Sequence, residues 1–271
     1  MTVTGTCEGD PVADAGLLRR ARRHAALGEP VRLAIVERLL LTDASPGELG
    51  AAFALATNVL AHHLKVLQAS GLIRRVRSEG DARRAYVQVC LDDPGVTTLL
   101  AGGTASGATT RPRRVLFVCT HNSARSQLAA AAWQRVSQLP AASAGTHPAP
   151  RVHPRAVAVG RRHGLRLTAS RTSSLTDVAT ADDLIVCVCD NAHEELTAHA
   201  APVGDRAVGD IQLVGDIPLV GDIQLVGNIH WSVPDPVRVD TDDAFETAYA
   251  ELAGRVERLA RTLDGHPAAD S

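Results

Sequence analysis

Val115-Leu116-Phe117-Val118-Cys119-Thr120-His121-Asn122-Ser123-Ala124-Arg125-Ser126 is the stretch that decides how this chain is read. Its apolar opening predicts a buried strand ending at Cys119, and Ser126 opens a helix that runs to about Gln138. A strand that delivers a cysteine to the carboxyl edge of a sheet puts it where open α/β folds bind ligands. Thr120, His121, Asn122, Ser123, Ala124 and Arg125 form a short loop whose backbone N–H groups, with the helix N-terminus, make a cradle for an anion. The same positive field stabilises a thiolate, which makes Cys119 the candidate nucleophile. Arg125 can hold a tetrahedral oxyanion through two parallel hydrogen bonds, a planar grip that Lys lacks. Asn122 tolerates the left-handed backbone of a tight turn, and Ser126 is placed to donate to the sulfur. A leaving oxygen needs an acid, and Asp235, held between two prolines in Val-Pro-Asp-Pro, is the candidate.

Outward from this loop, strands alternate with helices: VLFVC, SAGT and LIVCVC against helices near Pro154–His163, Ala192–Ala200 and Asp243–Leu263. That alternation predicts a parallel sheet covered on both faces. Residues 208–231 read VGDIQL-VGDIPL-VGDIQL-VGNIHW, four copies of a hexapeptide. Four copies make little more than one coil of a β-helix and cannot bury a core, so an expanded surface loop over 202–230 is expected.

The first half has a different pattern. Val31, Ile35 and Leu39 recur at helical spacing. Ser45-Pro46 with Glu48 predicts an N-cap and a second short helix reaching Leu55. Thr57 caps a third helix with stripe Leu60, Leu64 and Leu67, which Gly71 ends. Ile73–Arg77 and Ala85–Leu91, separated by the turn-rich SEGDARR, predict a hairpin. The order is that of a winged helix-turn-helix. A small, Gly-rich stretch, AGGTASGATT, divides the halves. The expected organisation is an N-terminal arm (1–14), a winged helix domain (15–100), a linker (101–112) and an α/β domain (113–265).

The whole-chain charge is −2, with 28 Lys+Arg against 30 Asp+Glu. Residues 15–91, however, carry 12 basic and 6 acidic side chains, a local excess that suits nucleic acid. At 45% apolar and 21% charged residues the composition is globular. No apolar run approaches the roughly 18 residues of a membrane span, and the first residues have no signal-peptide pattern. The five cysteines are odd in number and irregularly spaced, which suits a reducing cytoplasm rather than a disulfide framework.

Residues 114–263 resemble the low-molecular-weight protein tyrosine phosphatase fold, specifically its arsenate reductase branch. VLFVCTHNSARSQLA, SAGTHPAPRVHPRAV, DDLIVCVCDNAHEEL and HWSVPDP carry the likeness. The resemblance implies Cys119 as nucleophile, Arg125 and the loop amides as oxyanion ligands, Asn122 and Ser126 as supports, and Asp235 as acid. Tyr86 and Tyr249 are the sole tyrosines and Val237 follows Asp235-Pro236, so the aromatic walls of a phosphotyrosine pocket are missing. Arsenate needs none. Its reduction needs a further thiol. Cys189 matches the family's second cysteine, with Cys187 two residues before it. In the thioredoxin-linked branch a third cysteine lies seven residues on, and that position here is Leu196. Either Cys187 takes the place of the third thiol or an external reductant (mycothiol, glutathione with glutaredoxin, or thioredoxin) resolves the adduct; the external thiol is the expectation, with no bound cofactor.

Residues 19–91 resemble the ArsR/SmtB family of metalloregulatory repressors, on LGEPVRLAIVERLL, PGELGAAF and HHLKVLQASGLIRRVRSEGDARRAYVQV. The resemblance implies a homodimer on a double-stranded DNA operator. Thr57, Asn58, His62, His63 and Lys65 would face the bases, and Arg83 and Arg84 the phosphates or minor groove. Val59 and Ala61 stand where relatives place hydrogen-bonding groups, which reduces direct base readout. For arsenite, this half offers Cys7 and Cys90 alone, which meet if the arm folds back or crosses a dimer. The two resemblances together imply a cytoplasmic regulator fused to an arsenate reductase. The alternatives are a repressor that senses an oxyanion without turnover, and a phosphatase. Asp235 discriminates, since pure binding needs no acid.

Overall fold

The computed structural model describes residues 14–100, 112–167, 171–180, 182–200, 217–220, 223–225 and 229–264. The expected N-terminal arm with Cys7, the linker, and most of the repeat segment lie outside the described residues.

Helices α1 (Ala15–Leu27), α2 (Pro30–Leu39), α3 (Pro46–Ala52) and α4 (Thr57–Ala69) lead into a hairpin of β1 (Ile73–Arg77) and β2 (Ala85–Val89), closed by α5 (Pro94–Leu100). This is a winged helix-turn-helix. Each start has a local cause. The Glu29 side chain accepts the N–H groups of Val31 and Arg32 ahead of Pro30, and Ser45 with Glu48 forms a reciprocal capping box. Gly71, at φ 71, turns the chain out of α4. Ile35, Leu39, Leu49, Leu60, Leu64 and Leu67 bury the common stripe.

Three expectations shift here. Helix α3 ends at Ala52, not Leu55, because the chain turns through Ala54 at φ 50. Ala56 is the N-cap of α4, and Thr57 is its first helical residue, with no side-chain cap bond. Helices α1 and α5 appear where no apolar period announces them. They are joined by Arg23, whose guanidinium sits 2.5 Å from Asp93.

The second half begins with β3 (Arg114–Cys119), followed by α6 (Arg125–Val136), β4 (Ala141–Gly145), α7 (Pro154–Arg162), α8 (Leu175–Val178), β5 (Asp183–Cys187) and α9 (Asp190–Ala200). Within the repeat segment, β6 (Ile217–Val220) and β7 (Ile223–Leu225) pair antiparallel, which is not the pairing of a parallel β-helix. Then come β8 (Ile229–His230), α10 (Pro236–Val239) and α11 (Asp242–Asp264). The sheet is parallel throughout, in the order β4-β3-β5-β8. Buried Phe117, Trp133 and Trp231 meet in its core. The last repeat copy is therefore not surface loop at its end. Ile229 and His230 form the edge strand, and Trp231 is buried.

The halves are joined through that edge. Trp231 Nε1 donates to the Leu41 carbonyl at 2.8 Å, and the Asp43 N–H donates to the His230 carbonyl at 2.7 Å. The buried Asp43 carboxylate accepts from Gln88 Nε2 and Ser232 N, both at 2.8 Å, and from Arg255 at 3.0 Å. Burial opposes the charge of Arg255, but Asp43 and Glu251 outweigh it and raise its pKa. The rings of His193 and His230 stack 4.1 Å apart across from Tyr86.

Asp43 thus satisfies three buried donors from both halves. Asp43→Ala removes the shared acceptor of Gln88, the Ser232 N–H and one arm of Arg255, whose other arm stays on Glu251, and is expected to destabilise the chain by about 3–5 kcal/mol in urea unfolding. A loss below about 1 kcal/mol would show that the junction does not hold the halves together.

Candidate active site

Strand β3 ends at Cys119, and the chain turns through Asn122, at φ 49, into α6. Helix α6 starts at Arg125, one residue before the expected Ser126. What shapes the loop is the destination of its carbonyls. Those of Cys119, Thr120, His121 and Ser123 accept N–H groups from Thr146, His147, Ala149 and His153 at 2.7–3.2 Å. With its oxygens tied to this second segment, the loop is left with its Asn122 amide turned inward. The Asn122 N–H meets the Cys119 sulfur at 3.2 Å.

The supports are also bonded to one another. Asn122 Nδ2 donates to Ser126 Oγ at 2.9 Å, which leaves the Ser126 hydroxyl proton for Cys119 Sγ, 3.1 Å away. Asn122 Oδ1 accepts from Ser173 N and Gln127 Nε2, so its amide cannot rotate freely. Asn122 and Ser126 are fully buried. His121 is exposed, with Nδ1 on the His147 carbonyl.

Arg125 is buried and holds three acceptors. Its guanidinium donates to the Val233 carbonyl at 2.9 Å, lies 3.2 Å from Asp235 Oδ2, and lies 3.4 Å from Glu79 Oε2. Burial works against its charge, but Cys189, Cys119, Asp235 and Glu79 more than offset that and raise its pKa. Asp235 also caps α10, accepting the Val237 N–H at 3.2 Å. Cys119, Arg125, Ser126, Asn122 and Asp235 are therefore brought to one place.

Cys189 lies just beyond β5, which ends at Cys187, so it does not end the strand as expected. Its sulfur is 3.5 Å from the Thr120 hydroxyl. Burial pushes the Cys189 thiol up, opposed by Arg125. Cys187 is sealed in the strand, and burial pushes its thiol up as well. Leu196 packs on the core.

On the winged half, Thr57, Asn58, His62 and Lys65 all lie on the exposed face of α4. Exposed Arg75 of β1 lines the same groove as Lys65 and Gln68. His63 departs from this group. It is half-buried, with Nδ1 3.4 Å from Glu29, and holds the start of α2 instead. Arg83 and Arg84 are exposed at the hairpin tip, both beside Asp81. Cys90 is half-buried and burial raises its pKa. Among the described residues no cluster of three or more His, Cys, Asp or Glu could hold a metal ion, and no helix is long and apolar enough to cross a membrane.

Two features were not found from sequence. One is the 146–153 segment that captures the loop carbonyls, together with Gly145, where a Cβ would stand 2.8 Å from the Thr120 oxygen and 2.9 Å from the Asn122 nitrogen. The other is Glu79 from the hairpin tip, which no spacing connects to Arg125. Gly145→Ala must push the loop out of shape. It is expected to weaken inorganic phosphate binding at least ~10-fold while the chain stays folded, measured by calorimetry and circular dichroism. Unchanged affinity would show that the loop does not need this close approach.

The model of the family described as low molecular weight phosphotyrosine protein phosphatase matches residues 114–268. No curated protein matches the chain by sequence. Among solved structures, an arsenate reductase from Archaeoglobus fulgidus is 26% identical, with a TM-score of 0.39, covering 54% of this chain and 98% of its own. The tyrosine phosphatase Wzb from Escherichia coli K30, in complex with sulphate, is 22% identical at a TM-score of 0.40, covering 56% and 99%. A homodimeric winged helix-turn-helix domain from Mycobacterium bovis, described as a possible ArsR-family transcriptional regulator, is 22% identical at a TM-score of 0.31, covering 35% and 84%. With more than half its length matched by that family model and its cysteine loop built as described, the chain belongs to the low molecular weight phosphotyrosine protein phosphatase family.

Proposed function

We propose that the chain is a bifunctional arsenic-resistance protein, an ArsR-type DNA-binding regulator fused to a thiol-dependent arsenate reductase. The observation that carries the reading is an oxyanion loop with a second thiol, Cys189, against its Thr120 and no aromatic wall. The aromatic side chains are engaged elsewhere: Phe53 in the winged half, Tyr86 on Glu194, Phe117, Trp133 and Trp231 in the core, Phe245 on His153, and Tyr249 on His163. A phosphotyrosine ring would have nothing to stack on.

Arsenate binds with its oxygens on the loop amides and Arg125. Cys119 attacks arsenic, Asp235 gives a proton to the departing oxygen, and water leaves a sulfur–arsenic(V) adduct. An external thiol displaces Cys119 from arsenic. A second thiol then attacks the sulfur of that conjugate, and the electron pair of the broken bond reduces arsenic(V) to arsenic(III). The sum is one arsenate and two thiols giving one arsenite, one disulfide and one water. The outside donor is preferred because the internal relay lacks a third thiol at Leu196, burial raises Cys189, and Cys187 is sealed. Mycothiol, or glutathione with glutaredoxin, fits this role, with thioredoxin the competing donor.

The test is arsenate-dependent thiol oxidation by the full chain, run separately with mycothiol, glutaredoxin and thioredoxin systems. Cys119→Ser is expected to lose at least ~10³-fold in rate, whereas the Cys187→Ser, Cys189→Ser double variant keeps turnover with the small thiol. Strict thioredoxin dependence, abolished in the double variant, would overturn the external-thiol step. Hydrolysis of p-nitrophenyl phosphate without arsenate turnover would favour a phosphatase instead.

For the other half, the reading is a homodimer with α4 in the major groove of an operator duplex and Arg83 and Arg84 on its backbone. Lys65→Ala and Arg83→Ala are each expected to weaken duplex binding and to reduce the salt slope of log K by about 1. An unchanged slope in both would remove these residues from the interface.

A further inference from the structure

The hairpin that the regulator reading assigns to DNA is docked on α9, beside the Cys119 loop. Ser78 Oγ donates to Glu194 Oε1 at 2.6 Å, and the Asp81 N–H donates to Glu194 Oε2 at 2.8 Å. The Glu79 N–H donates to Asp190 Oδ2 at 2.9 Å, whose other oxygen holds His230 at 2.9 Å. Glu194 and Asp190 both belong to α9, so the turn is gripped at its backbone. A Cβ on Gly80 would stand 2.5 Å from Glu194 Oε2, so the fit is close. The grip aims one side chain. The Glu79 carboxylate lies 3.4 Å from the Arg125 guanidinium and accepts the Asp235 N–H at 3.1 Å on each oxygen.

An oxyanion over Cys119 needs that same guanidinium. A carboxylate already on it supplies the negative charge the site would take from its ligand, and two anions a few ångströms apart repel strongly in a buried setting. We propose that Glu79 is an internal competitor for the oxyanion site, so that anion binding at the Cys119 loop releases the hairpin tip from Arg125 and Asp235, while Gln88 keeps the second strand of the hairpin in the junction. Linkage makes the exclusion reciprocal: whatever factor the docked carboxylate takes from anion affinity, the anion takes from docking. The hairpin also carries Arg83 and Arg84, so the cradle's occupancy is transmitted to the winged half whether or not the anion is reduced. This rests on the oxyanion cradle of the proposed function, but not on arsenate turnover.

The experiment uses the full chain with inorganic phosphate as probe. Phosphate affinity is measured by calorimetry for the wild type and for Glu79→Gln, which keeps shape and removes charge. Amide hydrogen exchange over 78–84 is followed with and without saturating phosphate. The expected result is affinity roughly 10- to 100-fold higher in Glu79→Gln. Exchange at 78–84 is expected to quicken on phosphate addition in the wild type, a readout independent of any variant. Equal affinities, or wild-type exchange that phosphate leaves unchanged, would overturn the competition while leaving the cradle intact. Phosphate binding to neither protein would overturn the cradle itself, and the proposed function with it.

Discussion

The shape of the Cys119 loop depends on where four carbonyl oxygens point. A loop of five residues between a strand and a helix has as many acceptors as donors, and it becomes an anion site only if the acceptors are drawn off. The backbone of Thr146, His147, Ala149 and His153 does this, taking the carbonyls of Cys119, Thr120, His121 and Ser123. The Asn122 amide and the start of α6 then put positive potential at the Cys119 sulfur. Gly145 lets the two segments approach closely enough for those bonds to form. Asn122 completes the shape by accepting a left-handed backbone while its side chain ties Ser126, Ser173 and Gln127 together.

The same locality explains what could be read in advance. The strand, the Cys-to-Arg spacing, the left-handed Asn122 and the Ser45–Glu48 capping box are short-range patterns, and each has its cause within a few residues. The hairpin, the stripe of α4 and the parallel alternation follow from hydrophobic period alone. Contacts made across the chain were not legible. Glu79 and Arg125 are 46 residues apart in sequence and meet because α9 grips the hairpin. His63 looked like a groove-facing polar residue and instead sits on Glu29. Ile229 and His230 looked like the tail of a repeat, yet they form a sheet edge because Trp231 behind them is buried. Helices α1 and α5 escaped because α1 buries little besides Arg23 and Ala26, and α5 just Val96.

The junction between the halves has the character of a core rather than of a tethered contact. Trp231, Asp43, Arg255 and Gln88 are buried together, and a buried charge pair with all its donors satisfied fixes geometry more than it adds stability. A rigid junction is what allows a hairpin to be aimed at Arg125 with one carboxylate. The winged half and the phosphatase-family half therefore share an interface that includes Arg125 of the Cys119 loop, instead of acting as two units on a string.

The central claim is that the Cys119 loop is an oxyanion site with its sulfur opposite Arg125. The most direct measurement is a crystal structure of the full chain soaked in inorganic phosphate. Tetrahedral density is expected above the Cys119 sulfur, within hydrogen-bond distance of loop amides between Thr120 and Arg125 and of the Arg125 guanidinium. An empty loop at saturating phosphate, with Arg125 still committed to Asp235 and Glu79, would contradict it.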